Sequence, residues 1–363
     1  MIIQELLNVI NKHIPFSSSE SWDNVGLLIG TEDSEVTGIL TTLDCTMEVV
    51  DEAIENDLNT IIAHHPLIFK GVKNITEKGY GPILKKLIQN DINLIALHTN
   101  LDVYPKGVSY MIGDQIGLKN MSVLDDKEES YFKVQIFIPD KDVELMKSAF
   151  NKHHLAQTGE YSEVFFQSQG KGQFKPSENA NPHIGQSHKT ETVYETKLEL
   201  MVDGKDKSLA KQLIYENHPY EEPVFDFIEM KKTSRIGLGI VGELDKTQSI
   251  NEFVEHYKEK LHIPAVRFIG NKEAKINRVA IVGGAGIEYA QLAQNKQADL
   301  FITGDVKHHE ALDAKMDGIN VLDINHYSEY VMREGLKSLL EEWTNQSIEI
   351  KSSKINTDPY CYM

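Results

Sequence analysis

Three stretches, GILTTLD (Gly38–Asp44), TIIAHHP (Thr60–Pro66) and INLIALHTNLD (Ile92–Asp102), decide the reading of this 363-residue chain. Each is a short apolar run that closes in polar residues, the pattern of a strand with a functional end. Helical spacing fills the intervals, over Thr46–Asn56 and Gly81–Asn90. The last third repeats the alternation. RVAIVGGAG (Arg278–Gly286), ADLFITGD (Ala298–Asp305) and INVLDINH (Ile319–His326) read as strands, each followed by a helical pattern, near Glu288–Gln297, Val306–Lys315 and His326–Trp343. Strand and helix alternating in this way predict βαβ units and largely parallel sheets. In such sheets ligands gather outside the carboxyl ends of the strands. Asp44, His64–His65, His98–Asp102, Gly283–Gly286, Asp305 and His326 all fall at such ends, which suggests one crevice shared by both outer parts of the chain.

The middle has another rhythm. YFKVQIFIP (Tyr131–Pro139), a helix over Lys141–Lys152, a polar Gly/Ser/Asn/Gln-rich stretch at Gln167–Lys189, ETKLELMV (Glu195–Val202), a helix over Ser208–Asn217 and VFDFIEM (Val224–Met230) give a β-α-β-β-α-β order. That is the ferredoxin-like pattern. The expectation is a discontinuous outer α/β domain, residues 1–125 and 233–363, with a ferredoxin-like α+β domain inserted at 126–232.

Composition narrows the function classes. A formal charge of -18 repels phosphate backbones and anionic membrane surfaces, so nucleic acid is an unfavoured partner. Two cysteines, Cys45 and Cys361, build neither a disulfide framework nor a thiolate metal site. The opening MIIQELLNVINKHIPF has no basic region ahead of a long apolar run, and no run approaches the roughly 20 residues of a membrane span. A soluble, cytoplasmic protein without a membrane partner is expected.

Imidazole and carboxylate bind zinc, iron or manganese without thiols. His64 and His65 end an apolar strand just before Pro66, and neighbours on a strand point to opposite sides. Each therefore suits a different ion. His326 and Glu329, at i and i+3 where a helix begins, share one face. Asp102, at the end of its own strand, either bridges two ions or binds one. Three imidazoles and two carboxylates suit two divalent ions about 3.5–4 Å apart. Each pattern also has a plainer reading: a structural histidine pair, a solvated helix face, a capping aspartate.

The segments WDNVGLLIG (Trp22–Gly30), AHHPLIF (Ala63–Phe69), HTNLDVYPKGVS (His98–Ser109), TGDVKHHEALDA (Thr303–Ala314) and NHYSE (Asn325–Glu329) resemble, in order and spacing, the Ngg-one-interacting-factor-three-like family, also labelled dinuclear metal centre proteins or GTP cyclohydrolase I type 2 homologues. The resemblance covers nearly the whole chain. It implies metal ligands at His64, His65, Asp102, His326 and Glu329, two divalent ions per chain with zinc ahead of iron or manganese, and a ring-shaped homohexamer. It also makes the middle segment similar to P-II-like or copper-tolerance-type domains. Asn325 departs from the pattern, which has glycine there; asparagine tolerates left-handed backbone angles better than most residues.

Other residues divide between two readings. His98 is an additional ligand or orienting group, or a satisfied strand-end histidine. Asp44 orients a ligand or caps a helix, with Thr46 competing for the cap. Gly283–Gly286 reads as a tight strand-to-helix turn rather than a phosphate loop. His308 and His309 are not taken as ligands. HPYEEP (His218–Pro223) suits packing or an oligomer contact, and Cys45 lacks a paired base. The functional expectation is a metal-dependent hydrolase of a small molecule, for which the resemblance suggests opening of the guanine ring of GTP. The alternatives are a metal-binding regulatory or chaperone assembly without catalysis, and a protein-interaction scaffold.

Overall fold

The first third supplies Gly26–Ile29 (β1), Ile39–Thr42 (β2), Thr60–Ala63 (β3) and Asn93–Ala96 (β4) to the computed structural model, which describes residues 1–159 and 161–363, and their side chains except at 127–129 and 232–235. Two units result, Met1–Lys127 with Arg235–Met363, and Glu128–Ser234.

The second unit begins on Lys119–Pro139 (β5) and adds a small hairpin, Gln157–Thr158 (β6) with Tyr161–Ser162 (β7). Then come Phe166–Phe174 (β8), Glu191–Asp203 (β9) and Phe225–Ser249 (β10). The order across this sheet is β10-β5-β9-β8, with β9 antiparallel to both β5 and β8. Alternate residues of β5 (Val134, Ile136, Ile138) and of β9 (Leu198, Leu200, Val202) are buried, as period two demands of a one-sided sheet. They pack on Met146 and Phe150 of the helix Val143–Lys152 and on Leu213 and Ile214 of the helix Lys207–Asn217. The polar stretch after Gln167 divides: it stays paired to Phe174 in β8, and only 175–190 leave the ladder.

The last third contributes Arg267–Ile269 (β11), Lys275–Ala285 (β12), Leu300–Gly304 (β13), Val321–Asp323 (β14) and Ile350–Ser352 (β15). In the first unit one sheet runs β1-β4-β3-β2-β15, parallel except for β1. The strands β10, β12, β13, β14 and β11 form the second, parallel across β12-β13-β14 and antiparallel at β10 and β11. Ile39, Ile62 and Ile95 of one sheet and Val279, Ile281, Ile302 and Leu322 of the other enter the same core as the helices Ile3–His13, Val108–Gln115 and Met332–Trp343. The opposite faces carry Leu40, Ile61 and Leu94 against the helices Met47–Glu55 and Gly81–Gln89, and Ala280, Phe301 and Val321 against Ala290, Ala293 and Ala314. Both faces of each sheet are covered, so the strands read as continuous apolar runs. The mixed α/β class holds.

Two local expectations change. Asp102 does not end a strand: β4 stops at Ala96, and Asp102 closes a short helix, Thr99–Asp102. The cause is Asp23, whose carboxylate accepts from the Thr99 amide (3.0 Å) and hydroxyl (2.6 Å), turning the chain into a helical start. His326 and Glu329 lie in a 3-10 helix, His326–Val331, before the α-helix begins. With three residues per turn, positions i and i+3 eclipse, which brings this pair closer than α-helical spacing does.

Candidate metal centre

Parallel ladders deliver the side chains. His64 and His65 lie just past β3, yet their amides still bond across to Thr42 (3.0 Å) and Leu43 (2.9 Å) carbonyls beside β2. The ladder thus reaches past the strand end, but the chain bends at the pair and the two rings stay close, 5.1 Å between centroids, so the opposite-sided placement expected of strand neighbours does not hold. His64 is buried, 1% exposed, while the His65 side chain is 24% exposed.

Each histidine of the cluster is held through Nδ1 by a residue just outside a strand. His64 bonds the Leu97 carbonyl (2.8 Å), His65 the Asp44 carboxylate (2.7 Å), His98 the Asp23 carboxylate (2.9 Å) and His326 the Asp305 carboxylate (2.7 Å). An imidazole that donates through Nδ1 presents a lone pair at Nε2, the arrangement that orients metal ligands. Asp44 therefore orients a histidine, and Thr46 takes the helix cap by accepting from Val49.

The free edges meet in two groups that share one carboxylate: His65, His326 and Glu329, and His64, Asp102 and Glu329. In the first, Nε2 of His65, Nε2 of His326 and Oε2 of Glu329 form a triangle with all three sides 3.2 Å. An ion completing a tetrahedron of that edge lies about 2.0 Å from each corner, the usual zinc–imidazole distance. Two Nε2 lone pairs facing each other at 3.2 Å repel unless a proton or cation lies between them, so the donor set fits a metal. The second triangle is wider, 3.6 Å from His64 Nε2 to Asp102 and 3.9 Å to Glu329. His64, His65 and His98 form a third group.

Electrostatics follow from this crowding. Burial pushes the His64 imidazolium down to about 3. Burial opposes charge on His65 too, but hydrogen bonds to Asp44 and Glu329 lift it to about 10. The bond to Glu329 lifts His326 to about 9 against burial. Glu329 resists the upward push of its own burial and sits far below the carboxylate range, because His326 and His65 donate to it. Burial, then the nearby Glu329 charge, drives Asp102 upward. Without a cation, His65 and His326 thus hold protons at neutral pH that a metal must displace. Binding of the ions at pH 7 is expected to release on the order of two protons. Apparent affinity will rise with pH until about 9 to 10, where the histidines lose those protons unaided. Calorimetry in buffers of different ionisation enthalpy measures this; equal heats in all buffers contradict it.

Gly283 and Gly284 make room for the shared carboxylate. A Cβ at Gly284 would stand 2.9 Å from Glu329 Oε1, and one at Gly283 3.0 Å. Gly284 also has φ +61°, where side chains are strained. Gly283 and Gly286 donate their amides to Ser109 (3.1 Å) and Thr303 (2.9 Å) hydroxyls, so the turn cradles Glu329 instead of offering those amides to a phosphate. Gly284→Ala should weaken metal binding about tenfold or more, by analogy with the loss of an orienting partner; a chelator-competition titration reads it.

Asn325 takes φ +59°, the left-handed angle that its sequence position requires. Its side chain accepts from the Tyr327 amide at 2.8 Å and so starts the His326 turn. Elsewhere, His308 and His309 are exposed and belong to no such group among the described residues. His218 is packed through both nitrogens, to the Phe137 carbonyl (2.9 Å) and the Tyr220 amide (3.1 Å). A cavity of about 670 Å³ in the 128–234 unit, lined by Phe137, Phe174, Tyr220 and Glu195, contains none of the clustered ligands. Burial pushes the Cys45 thiol up to about 12, consistent with an inert cysteine. Residue patterns alone missed Asp23 and Asp305 as orienting groups and left His98 undecided.

Residues 1–359 match the Duf34/NIF3 (NGG1p interacting factor 3) family. The chain belongs to this family. Among its relatives, a Staphylococcus epidermidis protein called GTP cyclohydrolase 1 type 2 homolog is 56% identical over 365 residues, with 100% of both chains covered. A Staphylococcus aureus protein of the same name is 55% identical over 366 residues, again with 100% of both covered. The crystal structure of Staphylococcus aureus protein SA1388 superposes with a TM-score of 0.86 at 52% identity, covering 100% of this chain and 99% of that one. A Bacillus cereus protein related to NIF3 gives 0.75 at 34% identity over 100% and 99%. No helix of the described residues is long and apolar enough to cross a membrane.

Proposed function

We propose that the chain is a two-metal hydrolase of a small molecule, with a GTP cyclohydrolase-type ring opening as the reaction class that its relatives' names supply. The observation that carries it is the pair of ligand groups sharing Glu329. His65, His326 and Glu329 would hold one ion, and His64, Asp102 and Glu329 the other. Two such ions would polarise a carbonyl or phosphoryl oxygen, making its carbon or phosphorus more electrophilic, and would acidify bound water. Zinc suits the 3.2 Å triangle best; iron and manganese accept the same N/O donors.

The protein's own contribution is a proton acceptor. His98 is hydrogen-bonded at Nδ1 to Asp23, whose side chain is wholly shielded, and among the described residues its Nε2 has no hydrogen-bond partner, which leaves it to accept a proton beside both groups. This is the positioned base that the five ligands leave vacant. Trp22 and Phe69, both exposed and 5.8 Å apart between centroids, stand at this edge, with Trp22 edge-on to His98 at 6.2 Å. Such rings accept a planar heteroaromatic substrate by stacking.

The inserted unit, by its strand order, is read as ferredoxin-like, and the assembly as a homohexamer in the cytoplasm. Stripped protein reconstituted with zinc should retain about two ions per chain and release formate from GTP. Two tightly held ions without turnover of GTP, other nucleotides or phosphoesters would favour a metal-carrying or regulatory role instead. No metal after reconstitution would remove both readings.

A further inference from the structure

The segment after β15 is tied to one half of the centre. Ser353 bonds through its amide to the Thr41 carbonyl (2.9 Å) and through its hydroxyl to Glu52 (2.5 Å), and Arg333 donates to the Ile355 carbonyl (2.9 Å). Anchored so, the chain brings Thr357 to Asp44: the threonine hydroxyl donates to Oδ2 at 2.6 Å while Oδ1 holds His65 Nδ1 at 2.7 Å. Farther on, the side-chain amide of Asn325, the residue before His326, donates to the Tyr362 hydroxyl. Both contacts reach residues that place His65 and His326, the 3.2 Å triangle. Among the described residues, 353–363 make no hydrogen bond to His64, Asp102 or the Leu97 carbonyl that holds His64.

This asymmetry matters because the two halves differ in exposure. His64 is buried and fixed by a backbone carbonyl, whereas the His65 and His326 side chains are 24% and 39% exposed and each depends on a partly exposed carboxylate. A carboxylate with one oxygen unbound can rotate or exchange its histidine for water; a second donor on its other oxygen fixes its plane. We propose that the C-terminal segment is a positioning element for one of the two ions, the one at His65, His326 and Glu329, with Thr357 acting through Asp44. The proposal rests on the two-ion reading above. The outer ion then exchanges on the terms set by the chain's last residues, and the inner ion does not.

The test uses the full chain with Thr357→Val, Thr357→Ser and Tyr362→Phe, each stripped and titrated with zinc against a chromophoric chelator, and with cobalt to follow the visible bands of each ion. The expected result is a loss of about 10–100-fold in affinity for one ion in Thr357→Val. That ion's cobalt bands should shift, the second ion should stay unaltered, and serine should restore the first. Tyr362→Phe should weaken the same ion. If Thr357→Val titrates like wild type, or both ions weaken equally, the positioning role is overturned while the two-ion reading stands. If wild-type protein binds no metal, the two-ion reading falls and this proposal with it.

Discussion

Glu329→Gln will bind neither ion tightly, whereas Asp102→Asn will keep one. Oε2 of Glu329 lies 3.2 Å from both His65 and His326 and 3.9 Å from His64, so one oxygen serves both groups. Glutamine keeps the shape but removes the charge, and its amide hydrogens would meet imidazole or cation where a lone pair is needed. Affinity for each ion should fall by more than about 100-fold, the upper end of what even an orienting partner contributes. Asp102 belongs only to the wider group with His64. Its replacement should leave the His65–His326 ion in place, so elemental analysis after reconstitution should give about one ion per chain. Retention of two ions by Glu329→Gln would show that the carboxylate is not shared. The substitution has a second reading in metal-free protein. Glu329 raises His65 and His326 above their ordinary value, so it adds stability that is full below about pH 6.5 and disappears as pH rises through about 9 to 10. Without it, unfolding of the metal-free protein should depend less on pH across that window.

His98→Gln should lower kcat by about 10²–10⁴-fold with metal content unchanged, the usual contribution of a positioned base. Glutamine preserves polarity and bulk but accepts no proton at neutral pH. Asp23→Asn should follow it. Although burial alone would raise the Asp23 carboxyl, its bonds to Thr99 and His98 hold it below the usual range, and that anionic form keeps the His98 proton on Nδ1. An asparagine amide there can donate to Nδ1 and place the proton on Nε2, blocking acceptance. Turnover and elemental analysis on the same sample separate the roles: lost activity with two ions marks a base, and loss of an ion marks a ligand.

The strands and connecting helices were legible because burial on both faces leaves uninterrupted apolar runs, and Leu40, Ile61 and Leu94 face one layer while Ile39, Ile62 and Ile95 face the other. The amides of His64 and His65 continue the ladder past the strand end, but their rings stand 5.1 Å apart in one cluster, which strand alternation does not predict. Less visible were features that depend on which strands lie side by side. Asp44 and His65 follow adjacent strands β2 and β3; Asp305 and His326 follow adjacent strands β13 and β14. Their pairing requires the strand order, which local periodicity does not contain. The placement of Asp102 on a helix depends on Asp23, 76 residues before the amide it caps. The sharing of Glu329 between two groups depends on a 3-10 turn where a helical pattern alone predicts an α-helix.

The groups that would hold the ions come from 64–102 and 326–329, near opposite ends of the chain, with a whole unit encoded between them. A ribosome adding roughly 5–20 residues per second needs on the order of tens of seconds to pass from one to the other. During synthesis, then, the early histidines precede by that interval the residues at 326–329 that close the centre around them. A bound ion would tie the segment at 64–102 to the one at 326–329, so loading closes a loop around every residue encoded between them.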